Sequence, residues 1–303
     1  MHKMDKQTRN FLEQDNSSDS PELEDIPIEE GRRMAEQSII PSTIQLESIS
    51  DIKIPTPEGE ITLRIYTPKE AKPFPVFISI HGGGWAFGSL NTHDPFCRSI
   101  AKQADMIVVS IDYRLSAEHK YPAALNDCEA AAIWVKNHIH EWGGDPERLS
   151  IGGISAGANL AAGVVLRAKE RQFPLFQAQV LIVPVIQHDF NTSSYQKYAK
   201  GYFLTKELME WFWGLYLNKV ADGQEPTASL LNASDVSGLP PTLFILAEFD
   251  PLYDEGLAYA EKLKAVKVPV IVRNYATIHG FTSIDGLDIG KKAISDIAQF
   301  LTK

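Results

Sequence analysis

Cysteine is nearly absent from this 303-residue chain. Cys97 and Cys128 are the two present, without Cys-x-x-Cys spacing, and Cys128 lies in an apolar helical run. Both therefore read as packed free thiols rather than a disulfide framework. No apolar run approaches membrane-spanning length, and residues 1–31 are polar and acidic with no secretory hydrophobic segment. The expected compartment is the cytoplasm, with no integral membrane association. Positive charge is also in deficit, 29 Lys and Arg against 39 Asp and Glu, for a net charge of −10. That balance argues against nucleic acid or an anionic membrane as the main partner. No internal repeat is visible.

What is present is an ordinary globular composition, 44% hydrophobic and 22% charged, long enough for one large α/β domain or two smaller ones. Residues 1–40 lack the pattern of a core element. Ser17, Ser18, Ser20 and Pro21 interrupt a charged stretch, while Thr8–Leu12 and Pro27–Gln37 can each form a short amphipathic helix. This segment is either an arm covering another part of the molecule or a tail. From Thr43 the pattern turns to strands. Thr43–Ile49 and Ile61–Tyr66 alternate on either side of the turn signal Pro57-Glu58-Gly59, predicting an antiparallel edge hairpin. Six apolar runs follow, at Val76–Ile80, Met106–Ile111, Leu149–Gly152, Val180–Val183, Thr242–Leu246 and Val268–Val272. Runs apolar on both faces belong to buried parallel strands. Helix-length segments alternate with them, notably Pro122–His140, Ala156–Lys169, Glu255–Val266 and Leu287–Leu301. The expectation is one α/β domain over 41–303, with an eight-stranded, mostly parallel sheet whose first two or so strands are antiparallel.

One interval breaks the rhythm. Gln187–Pro240 is far longer than a crossover requires, and it holds Tyr195, Tyr198, Tyr202, Phe203, Trp211, Phe212, Trp213 and Tyr216. Leu208, Trp211, Phe212 and Tyr216 have helical spacing. The stripe is either an ordinary buried helix face or, as its position favours, part of a cap over an apolar pocket, inserted at about 187–235.

In such a sheet, ligands bind beyond the carboxyl ends of the strands. After the third strand comes His81-Gly82-Gly83-Gly84-Trp85, whose glycines let backbone N–H groups approach a ligand closely. Phosphate binding is the rival, but the loop lacks the Gly-Lys-Ser/Thr ending of a phosphate-binding loop. After the fifth strand comes Gly153-Ile154-Ser155-Ala156-Gly157, a Gly-x-Ser-x-Gly pattern that is weak alone and informative at a strand-to-helix turn. Asp250 follows the seventh strand and His279 the eighth. Among the other histidines, His138 and His140 fall on different faces of a helix. His2, His93, His119 and His188 lack a glycine-flanked strand-end setting, and His81 is better placed to orient its own loop. Asp254 and Glu255 read as the first turn of the next helix, where carboxylates favour the positive dipole end. Ser155, Asp250 and His279 thus come in the chain order of a hydrolytic triad.

Across about residues 40–303 the sequence resembles the hormone-sensitive-lipase family of α/β-hydrolases, including the bacterial family IV carboxylesterases. The resemblance rests on His81–Trp85, Asp112-Tyr113-Arg114-Leu115, Glu118-His119, Tyr121–Ala124 and the Ser155 turn. It continues through Leu204-Thr205, Trp211-Phe212, Leu239–Pro241, Asp250-Pro251-Leu252, Asp254–Gly256 and His279-Gly280-Phe281. It implies the α/β-hydrolase fold with a helical cap built from residues 1–40 and the insertion. It also implies a serine carboxylesterase for short- to medium-chain acyl esters, working through an acyl-enzyme without metal or organic cofactor. The implied catalytic residues are Ser155, Asp250 and His279, and the implied oxyanion donors are the N–H groups of Gly82, Gly83 and Ala156. Trp85, Phe203, Trp211 and Phe212 are expected against the substrate. The expected partners are a small-molecule acyl ester and, at most, a second copy of the chain in a homodimer. Amidase or deacetylase action on a small acylated metabolite stays open, as does a non-catalytic small-ligand receptor on the same fold. Two positions depart from the family pattern: Ile154 stands where an Asp is usual and Ala158 where a Gly is usual.

Overall fold

A computed structural model describes residues 3–18, 21–69, 73–173 and 176–302; His2 and Ser20 lie outside them. The chain opens with two helices, α1 (Lys6–Asp15) and α2 (Ile28–Gln37). Asp5 caps α1 by accepting from the Thr8 N–H at 2.9 Å. Eight strands follow: β1 (Ser48–Thr56), β2 (Gly59–Thr67), β3 (Phe74–Ile80), β4 (Ile107–Asp112), β5 (Gly144–Ile154), β6 (Ala178–Ile182), β7 (Thr242–Phe249) and β8 (Val270–Ile278). They form one sheet in the order β1-β2-β4-β3-β5-β6-β7-β8. β2 pairs antiparallel with both its neighbours, and every other pairing is parallel, so β2 alone runs against the rest.

The first strand lies further along the chain than its alternation predicts. The two-residue turn Pro57-Glu58 joins Thr56 to Gly59, and the ladder extends from there to Ser48 opposite Thr67. Pro68 then ends the partner strand, and among the described residues Thr43–Glu47 has one bond to it, from the Glu47 N–H to the Thr67 carbonyl.

The alternation missing from the central strands reappears as two burial directions. Ile78 and Ile80 of β3, Val109 and Ile111 of β4, and Phe244 and Leu246 of β7 enter one core with α4 (Ala123–His138), α5 (Ala156–Glu170) and α8 (Tyr253–Ala265). Phe77, Val108, Leu243 and Ile245 enter the other, with α3 (Asp94–Ala104) and α9 (Asp288–Leu301). Two-sided coverage is why these strands read as continuous apolar runs.

Between β6 and β7 lie α6 (Ser193–Lys197) and α7 (Lys206–Tyr216), capped by Thr192 and Thr205. They sit over the strand ends. Tyr198 packs on Phe249 at the end of β7, and Trp213 and Tyr216 pack on Trp85 beyond β3. From the other end of the chain, α1 meets the end of β8, where Thr8 Oγ1 lies 2.8 Å from Thr277 Oγ1. No helix among the described residues is long and apolar enough to cross a membrane.

Two histidines near β3 are held neutral by burial. His93, 2.8 Å from Ser79 Oγ, is lowered to about 3, and His81 to about 4, chiefly by desolvation. An unfolded chain therefore binds more protons than the folded one below the ordinary histidine value of 6.5. This stability is complete above pH 6.5 and declines as the medium is acidified toward 4, at up to about 1.4 kcal/mol per pH unit for each histidine. Denaturant unfolding at pH 7.5, 6.5, 5.5 and 5 should show this slope, and His93→Gln should flatten it.

Candidate active site

β5 runs straight into α5 through one residue, Ser155, whose φ of 57° and ψ of −119° lie outside the relaxed regions for a side-chain-bearing residue. Such a conformation costs about 1–3 kcal/mol and persists where the surroundings over-determine it. Here they do. The Ser155 N–H donates to the Ile182 carbonyl at 2.8 Å, and the Ser155 carbonyl accepts from Ala158, Asn159 and Val185. Asn159 also donates from Nδ2 to the carbonyls of Val185 and Ala228, tying α5 to the chain beyond β6. Gly157 lets the turn press against the end of β3, because a Cβ there would lie 2.2 Å from the Ile80 carbonyl oxygen and 2.3 Å from that of His81.

This turn brings three side chains into line. Ser155 Oγ lies 2.9 Å from His279 Nε2, and His279 Nδ1 lies 2.7 Å from Asp250 Oδ2. All three are buried, Asp250 to 1% exposure. The carboxylate accepts from Nδ1–H, which leaves the Nε2 lone pair facing the serine hydroxyl. Asp250 is itself fixed by the Leu252 N–H, 2.9 Å from Oδ1. The neighbouring carboxylates point elsewhere. Asp254 accepts from the Ser194 N–H and Glu255 from the Ile186 N–H. Burial pushes the Glu255 carboxyl well above its usual range, toward its protonated form.

The loop after β3 lies against the same turn, for a Cβ on Gly82 would come within 2.8 Å of the Ile154 carbonyl oxygen. His81, stacked 4.2 Å from Tyr113, donates from Nδ1 to the Gly82 carbonyl at 2.9 Å. Because peptide units are planar, this fixes the Gly83 N–H on the opposite side of the same unit. Among the described residues, no protein group accepts from the N–H groups of Gly82, Gly83 or Ala156. Three backbone donors thus remain free beside the serine, the last at a helix N-terminus.

The aromatic residues divide. Phe212 caps the loop, its ring filling the space over Gly84 so closely that a Cβ there would lie 2.2 Å from it. Trp211 is half-buried, its ring 5.3 Å from that of Phe212 and 6.1 Å from that of Phe87. Phe203, 43% exposed, lies against Gly280 beside the histidine and meets Phe11 of α1 edge-on at 5.8 Å. Trp85 is a correction to the expectation. Its indole is wholly buried, stacked 4.2 Å from Tyr216 and parallel to it, so it offers substrate no surface and packs the insertion onto the loop. Phe11 and Phe87 were not singled out by the sequence. Only their neighbours in three dimensions reveal them, although Phe11 falls within a recognised amphipathic stretch. Ile154, in place of an acid, sits in the apolar cluster with Ile182, Ile245 and Phe281. Ala158 is wholly buried in the opposite core.

Residues 77–283 match the family described as alpha/beta hydrolase fold. Carboxylic ester hydrolase LipN of Mycobacterium tuberculosis is 40% identical over 252 residues, covering 81% of this chain and 67% of that protein. An arylesterase of Saccharolobus solfataricus is 36% identical over 233 residues, 76% of each chain. The solved structure of a hyperthermophilic esterase from Pyrobaculum calidifontis superposes with a TM-score of 0.93 at 36% identity, covering 99% of this chain and 98% of that one.

Gly157→Ala should lower stability by at least about 2 kcal/mol in urea unfolding, because its Cβ meets backbone oxygens that cannot turn away. Gly214→Ala, in α7 with no atom within 4 Å of the new Cβ, should be neutral or stabilising by about 0.5–1 kcal/mol.

Proposed function

This chain belongs to the α/β-hydrolase family and is a carboxylic ester hydrolase, and from that premise we propose that Ser155, His279 and Asp250 are its catalytic triad. The observation carrying this assignment is the unbroken line from Ser155 Oγ through His279 to Asp250, with contacts of 2.9 and 2.7 Å. Ser155 Oγ attacks the ester carbonyl carbon while His279 Nε2 takes the hydroxyl proton. Asp250 holds the imidazole in the required tautomer and stabilises the imidazolium. The carbonyl oxygen becomes an oxyanion that accepts from the N–H groups of Gly82, Gly83 and Ala156. As the tetrahedral intermediate collapses, the C–O bond to the alcohol breaks and His279 returns the proton to the departing oxygen. Water, deprotonated by the same Nε2, then attacks the acyl carbon; the bond from that carbon to Ser155 Oγ breaks, His279 returns the proton to Oγ, and the carboxylic acid departs.

We assign the cover of this site to two pieces of chain, residues 1–40 and the insertion at about 187–235. Support comes from α1 against β8, α2 against the loop after β3, and α6 and α7 over the strand ends. Phe203, Trp211 and Phe212 are the proposed apolar contacts. Large rings this close to Gly84 and Gly280 suit acyl esters of short to medium chain length. Two buried free thiols fit a cytoplasmic setting. β8 ends the sheet, and the part of its outer edge not taken by the Asp5 N–H bond to the Ala276 carbonyl is the surface proposed for a homodimer, whose existence sedimentation would test.

Ser155→Ala should retain the fold and lower kcat on p-nitrophenyl butyrate by roughly 10⁴–10⁶, as loss of a triad hydroxyl does elsewhere. It should also abolish labelling by a fluorophosphonate probe. Retained hydrolysis would remove Ser155 from the mechanism, and a wild-type protein inert to both ester and probe would favour a ligand receptor. Across p-nitrophenyl esters, kcat/KM should peak below twelve carbons; a peak at sixteen would contradict the assigned chain length.

A further inference from the structure

We propose that Arg32, on α2 of the N-terminal segment, is a positioning residue for the oxyanion hole; this rests on reading Gly82 and Gly83 as oxyanion donors. The loop that carries those donors is poorly suited to hold itself. Gly83, Gly84, Trp85 and Gly88 all have positive φ within six residues, and Trp85, at 60°, bears a large side chain. Besides the His81 Nδ1 bond to the Gly82 carbonyl, its internal backbone–backbone bonds among the described residues are two, from the N–H groups of Ala86 and Phe87 to the Gly83 carbonyl at 3.1 and 2.8 Å. Both depend on where residues 86 and 87 are held.

Arg32 holds them from outside. Its Nε donates to the Ala86 carbonyl at 2.8 Å, and Nη2 donates to the Ser116 carbonyl at 2.8 Å. The Ser116 N–H in turn donates to the Trp85 carbonyl at 2.9 Å. One guanidinium therefore secures the carbonyl of residue 86 directly and that of residue 85 through one intermediate. The fork is aimed by Glu118, whose two oxygens lie 2.7 and 2.8 Å from Nη1 and Nη2. The Arg32 guanidinium holds that carboxyl down at about 2, so Glu118 stays ionised well below neutral pH. One helical turn on, on the same face, Glu36 accepts from Ser89 and from Asn91 Nδ2, and Gly31 lies against the Phe87 ring. α2 thus lies along residues 86–91 as a splint, with Arg32 at the end next to the glycines. Lysine cannot substitute, since an ammonium has no planar fork to satisfy two carbonyls and a carboxylate together.

The test uses the full chain with Arg32→Lys, Arg32→Gln, Glu118→Gln and, as a control, Arg33→Gln. Arg33 lies on the same helix with its guanidinium on Glu30. Active protein is counted by fluorophosphonate titration, so that a misfolded fraction does not enter the rates. Each variant is assayed with p-nitrophenyl butyrate and with a butyl trifluoromethyl ketone, which adds to Ser155 and places an oxyanion in the hole. Both Arg32 variants should lose about 10- to 100-fold in kcat with KM within twofold, and the ketone inhibition constant should rise by the same factor. Glu118→Gln should cost less than Arg32→Gln, and Arg33→Gln nothing. The proposal is overturned if per-site kcat and ketone affinity survive in the Arg32 variants, if KM alone moves, or if Arg32→Lys restores both. A wild-type protein that the ketone fails to inhibit would instead refute the oxyanion-hole reading beneath it.

Discussion

The molecule depends on a backbone conformation that Ser155 would not adopt by itself. The strain at φ 57° is sustained because β6, α5 and the chain beyond β6 all bond to that one residue. Those partners exist only when the central sheet is in register, so the placement of this hydroxyl is a product of the whole fold. The same compression demands glycine at 157, where α5 touches the carbonyls ending β3. Sheet order then does the remaining work. β5 lies beside both β3 and β6, and β7 and β8 follow outward, so the glycine loop falls on one side of the serine and the carboxylate and histidine on the other.

Charge is sparing in this neighbourhood. His81 and His93 are neutral through burial, and Glu255 is pushed toward its protonated form. Ile154 and Ala158 present only alkyl groups beneath the turn. Asp250 is therefore the carboxylate whose field His279 feels at hydrogen-bond distance. In the proposed mechanism the imidazolium has one dedicated counter-charge, which strengthens their pairing in a dry setting.

Much of this was readable in the residues themselves. Apolar runs, intervening helices and the Gly-x-Ser-x-Gly turn are local patterns, and local patterns survive in a sequence. Asp250 and His279 were legible because strand ends can be located and few polar residues follow them. The first strand was misplaced because alternation at Thr43–Ile49 is as good as that at Ser48–Thr56, and only the length of β2 decides between them. Trp85 was misjudged because nothing in His81–Trp85 says that Tyr216, more than a hundred residues on, will cover its ring. Arg32 was invisible for the same reason. It is one of several charged residues on a short helix, and its three acceptors belong to residues 86, 116 and 118.

The contact between Thr8 and Thr277 joins residues 269 apart in the chain. During synthesis, α1 emerges well before its docking site on β8. The Ser155 turn, by contrast, can close once β3, β5 and β6 are out. A growing chain thus carries Ser155 before it owns the histidine beside it, and α1 waits for its seat until β8 has been made. Assembly of the three side chains thus awaits β8, long after the turn that holds the serine.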